Sequence, residues 1–132
     1  MKGFCGNIEK ATLSNDNFRK VLYTAKHSQL VLMCLQPGED IGAEVHRGND
    51  QFFRFEKGRG KVIIDNTEYP VHDGFAIVIP AGAKHNIINT SKSEPLKMYT
   101  IYSPAHHKSG IVRKTKASAS AHEALFDGVT SE

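Results

Sequence analysis

At 132 residues the chain has the length of one domain, long enough to bury a core without disulfides or a structural metal. With 39% apolar and 23% charged residues it has the composition of a globular protein, and a net charge of +3 is too mild to argue for a nucleic-acid partner. No stretch reads as a DNA- or RNA-binding motif, and the longest apolar run, "LVLMCL" at 30–35, is far too short to cross a bilayer. The opening "MKGFCGNIEK" lacks the apolar core of a signal peptide. Cys5 and Cys34 form neither a CxxC pair nor a disulfide framework, so reduced thiols and a cytoplasmic location are expected.

In chain order, a helix is allowed near residues 14 to 20. "QLVLMCL" is a buried strand closed by the turn-rich "QPGED". "GAEVH" follows, then the loop "RGND" and the strand "QFFRFE". "KGRG" carries the residues of a hairpin turn into "KVIID". "NTEYPVHDG" holds a turn and a short edge strand, since Pro70 cannot donate to a ladder. "FAIVI" is a short, fully apolar strand that stops at "PAGAKH", and "NIINT" and "LKMYTIY" complete the set. The alanine-rich "ASASAHEALF" allows a second helix. Short strands with frequent turns predict an all-β sandwich or barrel.

Two stretches carry chemistry. In "EVHRGNDQ", Glu44 and His46 are two apart and project to the same side of a strand, as surface decoration or as a metal-holding pair. Gln51, five residues on, is a poorer ligand type. In "GFAIVIPAGAKHNIIN", Gly74 serves a turn, Pro80 ends the apolar strand, and Gly82 allows a tight reversal. His85 then opens the next strand and can aim inward, with Asn89 on the same face.

The second stretch resembles the second motif of the cupin superfamily at Gly74, Pro80, Gly82, His85 and Asn89. The first cupin motif fits the frame Gly38, Glu44, His46, Gln51 and Gly58, with Glu44 where the family has its first histidine and Gln51 where it has a glutamate. The resemblance spans about residues 30 to 103. It implies an antiparallel double-stranded β-helix, the jelly-roll barrel, over 28–103. Residues 1–27 would then form a segment packed on the barrel, and 104–132 a polar tail, partly helical or flexible.

The resemblance also implies a divalent ion (zinc, iron, manganese or nickel) held by Glu44, His46, Gln51 and His85. One carboxylate and two imidazoles make a sufficient core, and Gln51 would be a weak, displaceable fourth ligand. The same residue types resemble the ligand set of phosphomannose-isomerase-like cupins, with glutamine and glutamate exchanged. A metal-free polar network is the alternative. Phe53 and Phe55 share parity with Gln51 and are expected in the core near the site, where they and Tyr102 are candidates for substrate contact. Tyr99 and Tyr102 have opposite parity, so at most one faces the cavity. His106 and His107 follow the last strand and read as solvated loop residues, or as an acid or base if the loop folds over the barrel mouth. The expected function is a metal-dependent, isomerase-like enzyme acting on a small oxygen-rich molecule such as a sugar or its phosphate. An iron(II) dioxygenase or a non-catalytic ligand-binding cupin are the alternatives. A homodimer is expected, because unpaired strand edges need cover.

Overall fold

Ten strands and two short helices follow one another from residue 8 onward in the computed structural model, which describes residues 1–132. Helix α1 (Ile8–Ser14) starts where the Asn7 side chain accepts from the Lys10 amide. The strands are β1 (Arg19–Thr24), β2 (Gln29–Leu35), β3 (Glu44–Val45), β4 (Asp50–Lys57), β5 (Arg59–Ile64), β6 (Thr67–His72), β7 (Ala76–Ile79), β8 (Lys84–Asn89), β9 (Leu96–Ser103) and β10 (Val112–Arg113). Helix α2 (Lys116–Ala121) follows β10. One sheet has the order β10-β1-β2-β9-β4-β7 and the other β3-β8-β5-β6, with every pairing antiparallel. Facing each other, they form the expected jelly-roll barrel.

The core lies between the sheets. Val31, Met33 and Leu35 of β2 alternate inward against Phe53 and Phe55 of β4, Val62 of β5, Ile87 of β8 and Leu96 and Met98 of β9, all within 1% of full burial. Strand β2 is buried on both faces because α1 lies over the outer one. Lys97 anchors α1 there, donating to the Leu13 carbonyl at 2.7 Å and pairing with Asp16 at 2.9 Å. The outer-facing Leu32 and Cys34 are therefore covered, while Leu30 at the far end of the strand stays half-buried.

The helix lies earlier than the sequence reading put it. Asn15 turns its side chain onto the backbone of Asn17, as acceptor at 3.1 Å and donor at 2.9 Å, offering the chain an alternative to helical bonding. Residues 19–24 then pair with β2 as a strand. "KGRG" is not a hairpin: β4 and β5 belong to different sheets, and the chain turns a corner there. At that corner a Cβ on Gly58 would meet the Pro95 carbonyl oxygen at 2.4 Å, and one on Gly60 would meet that of Ile88 at 2.5 Å, so backbone approach demands both glycines. The two-residue hairpin is at Asp65–Asn66, between β5 and β6. "FAIVI" is an edge strand whose outer face is open, with Val78 67% exposed.

Candidate metal centre

Register brings the first two site residues together. Glu44 of β3 pairs directly with His85 of β8, so their side chains share the inner face. His46 stands two residues beyond Glu44 on the same side, its carbonyl fixed by the Gly82 amide at 2.9 Å. One ligand-type atom from each of Glu44, His46 and His85 lies within 4.8 Å of the others. His46 Nε2 is 3.0 Å from Glu44 Oε2, so a proton is held between them.

The tautomer of His85 is set by its surroundings. Its Nδ1 sits 3.1 Å from the Ala83 carbonyl, which can only accept, so Nδ1 carries the hydrogen and Nε2 a bare lone pair. That Nε2 is buried and has no partner. Gln51 shows the same pattern from the facing sheet. Its Nε2 donates to Thr100 Oγ1 at 3.0 Å, while its Oε1 is buried without a donor. Two orphaned acceptors inside a barrel are costly. A cation is a partner that a bare imidazole nitrogen and a bare amide oxygen would each accept, and the converged donors of Glu44, His46 and His85 fit one.

Burial pushes the Glu44 carboxyl up, but the His46 hydrogen bond and the charges of His46, Arg19 and His85 outweigh it and leave it below its usual value. His85 is lowered, by burial first and by the charge of His46. Both groups are thus ready as ligands in neutral solution.

The loop after β9 is not solvated. Gln29, fully buried at the start of β2, accepts from the amides of His106 and His107 at 3.2 and 3.0 Å and donates to the His107 carbonyl at 2.6 Å. This clamp holds the segment over the barrel mouth. His107 is 5% exposed, and its Nε2 is hydrogen-bonded to the Tyr102 hydroxyl at 3.2 Å. His106 is half-buried, with its ring 4.3 Å from that of His46. The tail closes over the loop: the Phe126 amide donates to the His106 carbonyl and the Lys108 amide to that of Ala124. A cavity of about 180 Å³ remains, walled by Arg19, Glu44, His106 and His107 from the barrel side and by α2 and residues 122–124 from the tail.

Of the residues considered for substrate contact, Tyr102 packs against His46 at 5.6 Å between ring centres. Tyr99 lies on the other face against Phe52. Phe53 and Phe55 stack on each other in the core and do not line the cavity. Asn89 is outside the site: its amide donates to the carbonyls of Leu35, Gln36 and Glu94 and organises the loops there. Arg19 and Gln29 were missed by sequence reasoning. Arg19 alternates with Val21, a signal available once residues 19–24 are read as a strand.

Acid stability follows from the histidines. Burial, with the charges of Arg19, His106 and His46, lowers His107 from 6.5 to about 2. The unfolded chain therefore takes up a proton that the folded one refuses. Stability is complete above about pH 6.5 and drains as pH falls below it, by about 1.4 kcal/mol per pH unit for this group. His85 and His106 are lowered too and act in the same direction. In urea titrations of metal-free protein between pH 6 and 5, His107→Gln is expected to reduce the slope by about that amount. An unchanged slope contradicts a neutral buried His107.

A family model described as a cupin domain matches residues 31–102. The uncharacterised YrkC protein of Bacillus subtilis is 49% identical over 128 residues, covering 92% of this chain and 68% of that protein. The uncharacterised L612 protein of Acanthamoeba polyphaga mimivirus is 48% identical over 107 residues, covering 79% of this chain and 67% of its own. The crystal structure of BH2720 from Bacillus halodurans superposes with a TM-score of 0.89 at 46% identity, covering 92% of this chain and 96% of that one. TT1209 from Thermus thermophilus, at 24% identity and a TM-score of 0.67 over 76% of this chain and 96% of its own, shares the fold. No helix is long and apolar enough to cross a membrane. With two-thirds or more of these relatives' length accounted for and the jelly roll in place, the chain belongs to the cupin family.

Proposed function

We propose that this cupin holds one divalent cation through Glu44, His46 and His85, with Gln51 as an exchangeable neutral ligand, and that it is a metal-dependent enzyme acting on a small oxygen-rich molecule. The observation carrying this reading is the buried, unpartnered pair of acceptors, His85 Nε2 and Gln51 Oε1, beside a converged carboxylate and imidazole. Zinc, iron, manganese and nickel all accept such a mixed nitrogen and oxygen set. A bound ion would supply Lewis acidity, polarising an oxygen of the substrate.

The chain's own residues do the rest. Glu44 and His46 would hold the ion once the proton between them passed to solvent. His107, Tyr102 and Gln29 hold the mouth segment in place, and His106 faces the cavity as a proton carrier. An aldose–ketose isomerisation asks for a proton to move between two carbons of a sugar chain. With His106 as the cavity's half-buried, uncommitted proton carrier, chemistry at one polarised oxygen is the better-supported use of the site.

Thermal melts test the metal reading. At about a hundredfold excess over its dissociation constant, an ion that binds the folded state alone raises stability by about 2.7 kcal/mol. Wild type should show that increment with at least one of zinc, manganese, nickel and iron(II). His46→Ala, at a strand end, should fold and lose most of it. Equal shifts in both proteins would rule the site out.

The expected homodimer has a surface available on the outer face of the larger sheet. Val78, Phe52, Ile101 and Leu30 form one cross-strand row over four strands, ending at the exposed edge. Sedimentation equilibrium should find a species of twice the chain mass that Val78→Lys dissociates. A wild-type monomer at micromolar concentration would exclude it.

A further inference from the structure

We infer that Arg19 is a carboxylate-binding residue of this site and that the cavity takes a small monocarboxylic acid bearing a second oxygen beside its carboxyl group, of the hydroxy- or oxo-acid class. The second oxygen rests on the metal centre proposed above; the carboxylate contact does not.

Arg19 enters the cavity from the first residue of β1. It shares the inward face with Val21 and pairs with Met33, both in the core. Its Nε is buried and has no hydrogen-bond partner, and its guanidinium takes part in none of the chain's ion pairs. The neighbouring cation on the wall, Lys116, is already paired with Asp40. Glu44 lines the same cavity but turns its oxygen to His46 rather than to Arg19. Its guanidinium carbon lies 5.3 Å from the centre of the Phe18 ring, a contact with the ring face that uses none of its N–H donors. A planar carboxylate matches its fork of donors.

Size and charge narrow the class. A cavity of about 150 Å³ holds benzene, so the 180 Å³ here suits a molecule of roughly six to eight heavy atoms. A hexose phosphate has roughly twice that number and would extend beyond it. One unpaired cation faces two acidic groups, Glu44 and Glu123, on the same wall, which favours a monoanion over a phosphate dianion. Phe18, Ile41, Ile111 and Ala119 offer an apolar side for a short carbon body. Because Glu44 belongs to both the cavity and the ligand cluster, a molecule forked on Arg19 lies beside the metal centre, and an oxygen next to its carboxyl group is the one presented there.

The test is calorimetric titration of zinc-loaded and zinc-free protein with lactate, pyruvate and the neutral isostere lactamide, with inorganic phosphate added to the zinc-free series. Lactate or pyruvate should bind, and lactamide should bind at least about tenfold more weakly. Arg19→Gln should lose at least about tenfold in acid affinity with zinc affinity kept, and Arg19→Lys should fall between. Failure of zinc to bind wild type ends the metal reading alone, because weak acid binding to zinc-free wild type, lost in Arg19→Gln, still supports the arginine. The proposal is overturned if Arg19→Gln binds the acids as wild type does, if lactamide binds equally well, if phosphate binds more tightly than either acid, or if neither acid binds either form at about 20 mM.

Discussion

Glu44→Gln is expected to weaken divalent-metal affinity by well over a hundredfold. Glu44 is the sole formal anion among the four side chains, since histidine ligands are neutral and Gln51 is an amide. Residues that merely orient a ligand already cost about 10- to 100-fold when lost, so removing the charged ligand itself must cost more. The substitution also takes away the carboxylate beside His46 Nε2 at 3.0 Å and frees that ring to move. Gln51→Glu is the reciprocal experiment. It keeps the size and adds an anionic oxygen where Oε1 is now unpartnered, with the Thr100 hydroxyl turning from acceptor to donor. Affinity should rise above wild type, whereas displacement by substrate should become harder and activity should fall. Gln51→Leu should bind only slightly less well than wild type. Calorimetric titration with zinc measures the series, and a Glu44→Gln protein that binds like wild type removes Glu44 from the centre.

Gly58→Ala is expected to destabilise the fold by about 3 kcal/mol or more, a large share of a typical domain's 5–15 kcal/mol. Gly58 has φ +96°, a region where a side chain alone costs about 1–3 kcal/mol, and its new Cβ would lie 2.4 Å from the Pro95 carbonyl oxygen. A backbone atom cannot swing aside as a side chain does, so the corner itself must open. Gly60→Ala tests the clash without the dihedral strain: the Ile88 carbonyl is 2.5 Å away and Leu96 Cδ2 2.8 Å. Ile88 belongs to β8, which carries His85, so Gly60→Ala should also loosen the metal centre. Urea denaturation and zinc titration of both variants measure this. A loss below about 1 kcal/mol in Gly58→Ala would mean that the corner relaxes freely.

The parts legible from the sequence were those fixed by local pattern. Apolar runs closed by turn residues exposed β2, β4 and β9, and the turn residues Gly74, Pro80 and Gly82 bracketed β7 and set the start of β8. Register then did what parity implied, bringing His85 opposite Glu44. Contacts distant in the chain were not legible. "KGRG" has the residues of a hairpin, and nothing local says that β4 and β5 part into separate sheets. "RKVLYT" lies beside helix-compatible residues, and only its pairing with β2 makes it a strand and turns Arg19 inward. The burial of His107 depends on Gln29, 78 residues away, and on a tail whose polar composition suggested solvent. Those are tertiary effects, and they build the wall of the cavity rather than the ligand cluster.

The central claim is that Glu44, His46 and His85, with Gln51, hold a cation. X-ray absorption at the zinc edge of zinc-loaded protein tests it most directly. The account predicts a nitrogen and oxygen environment at about 2.0–2.2 Å with the outer-ring scattering of two imidazoles, falling to one in His85→Ala. A sulfur neighbour at about 2.3 Å, from Cys5 or Cys34, or a zinc spectrum unchanged in His85→Ala, would contradict it.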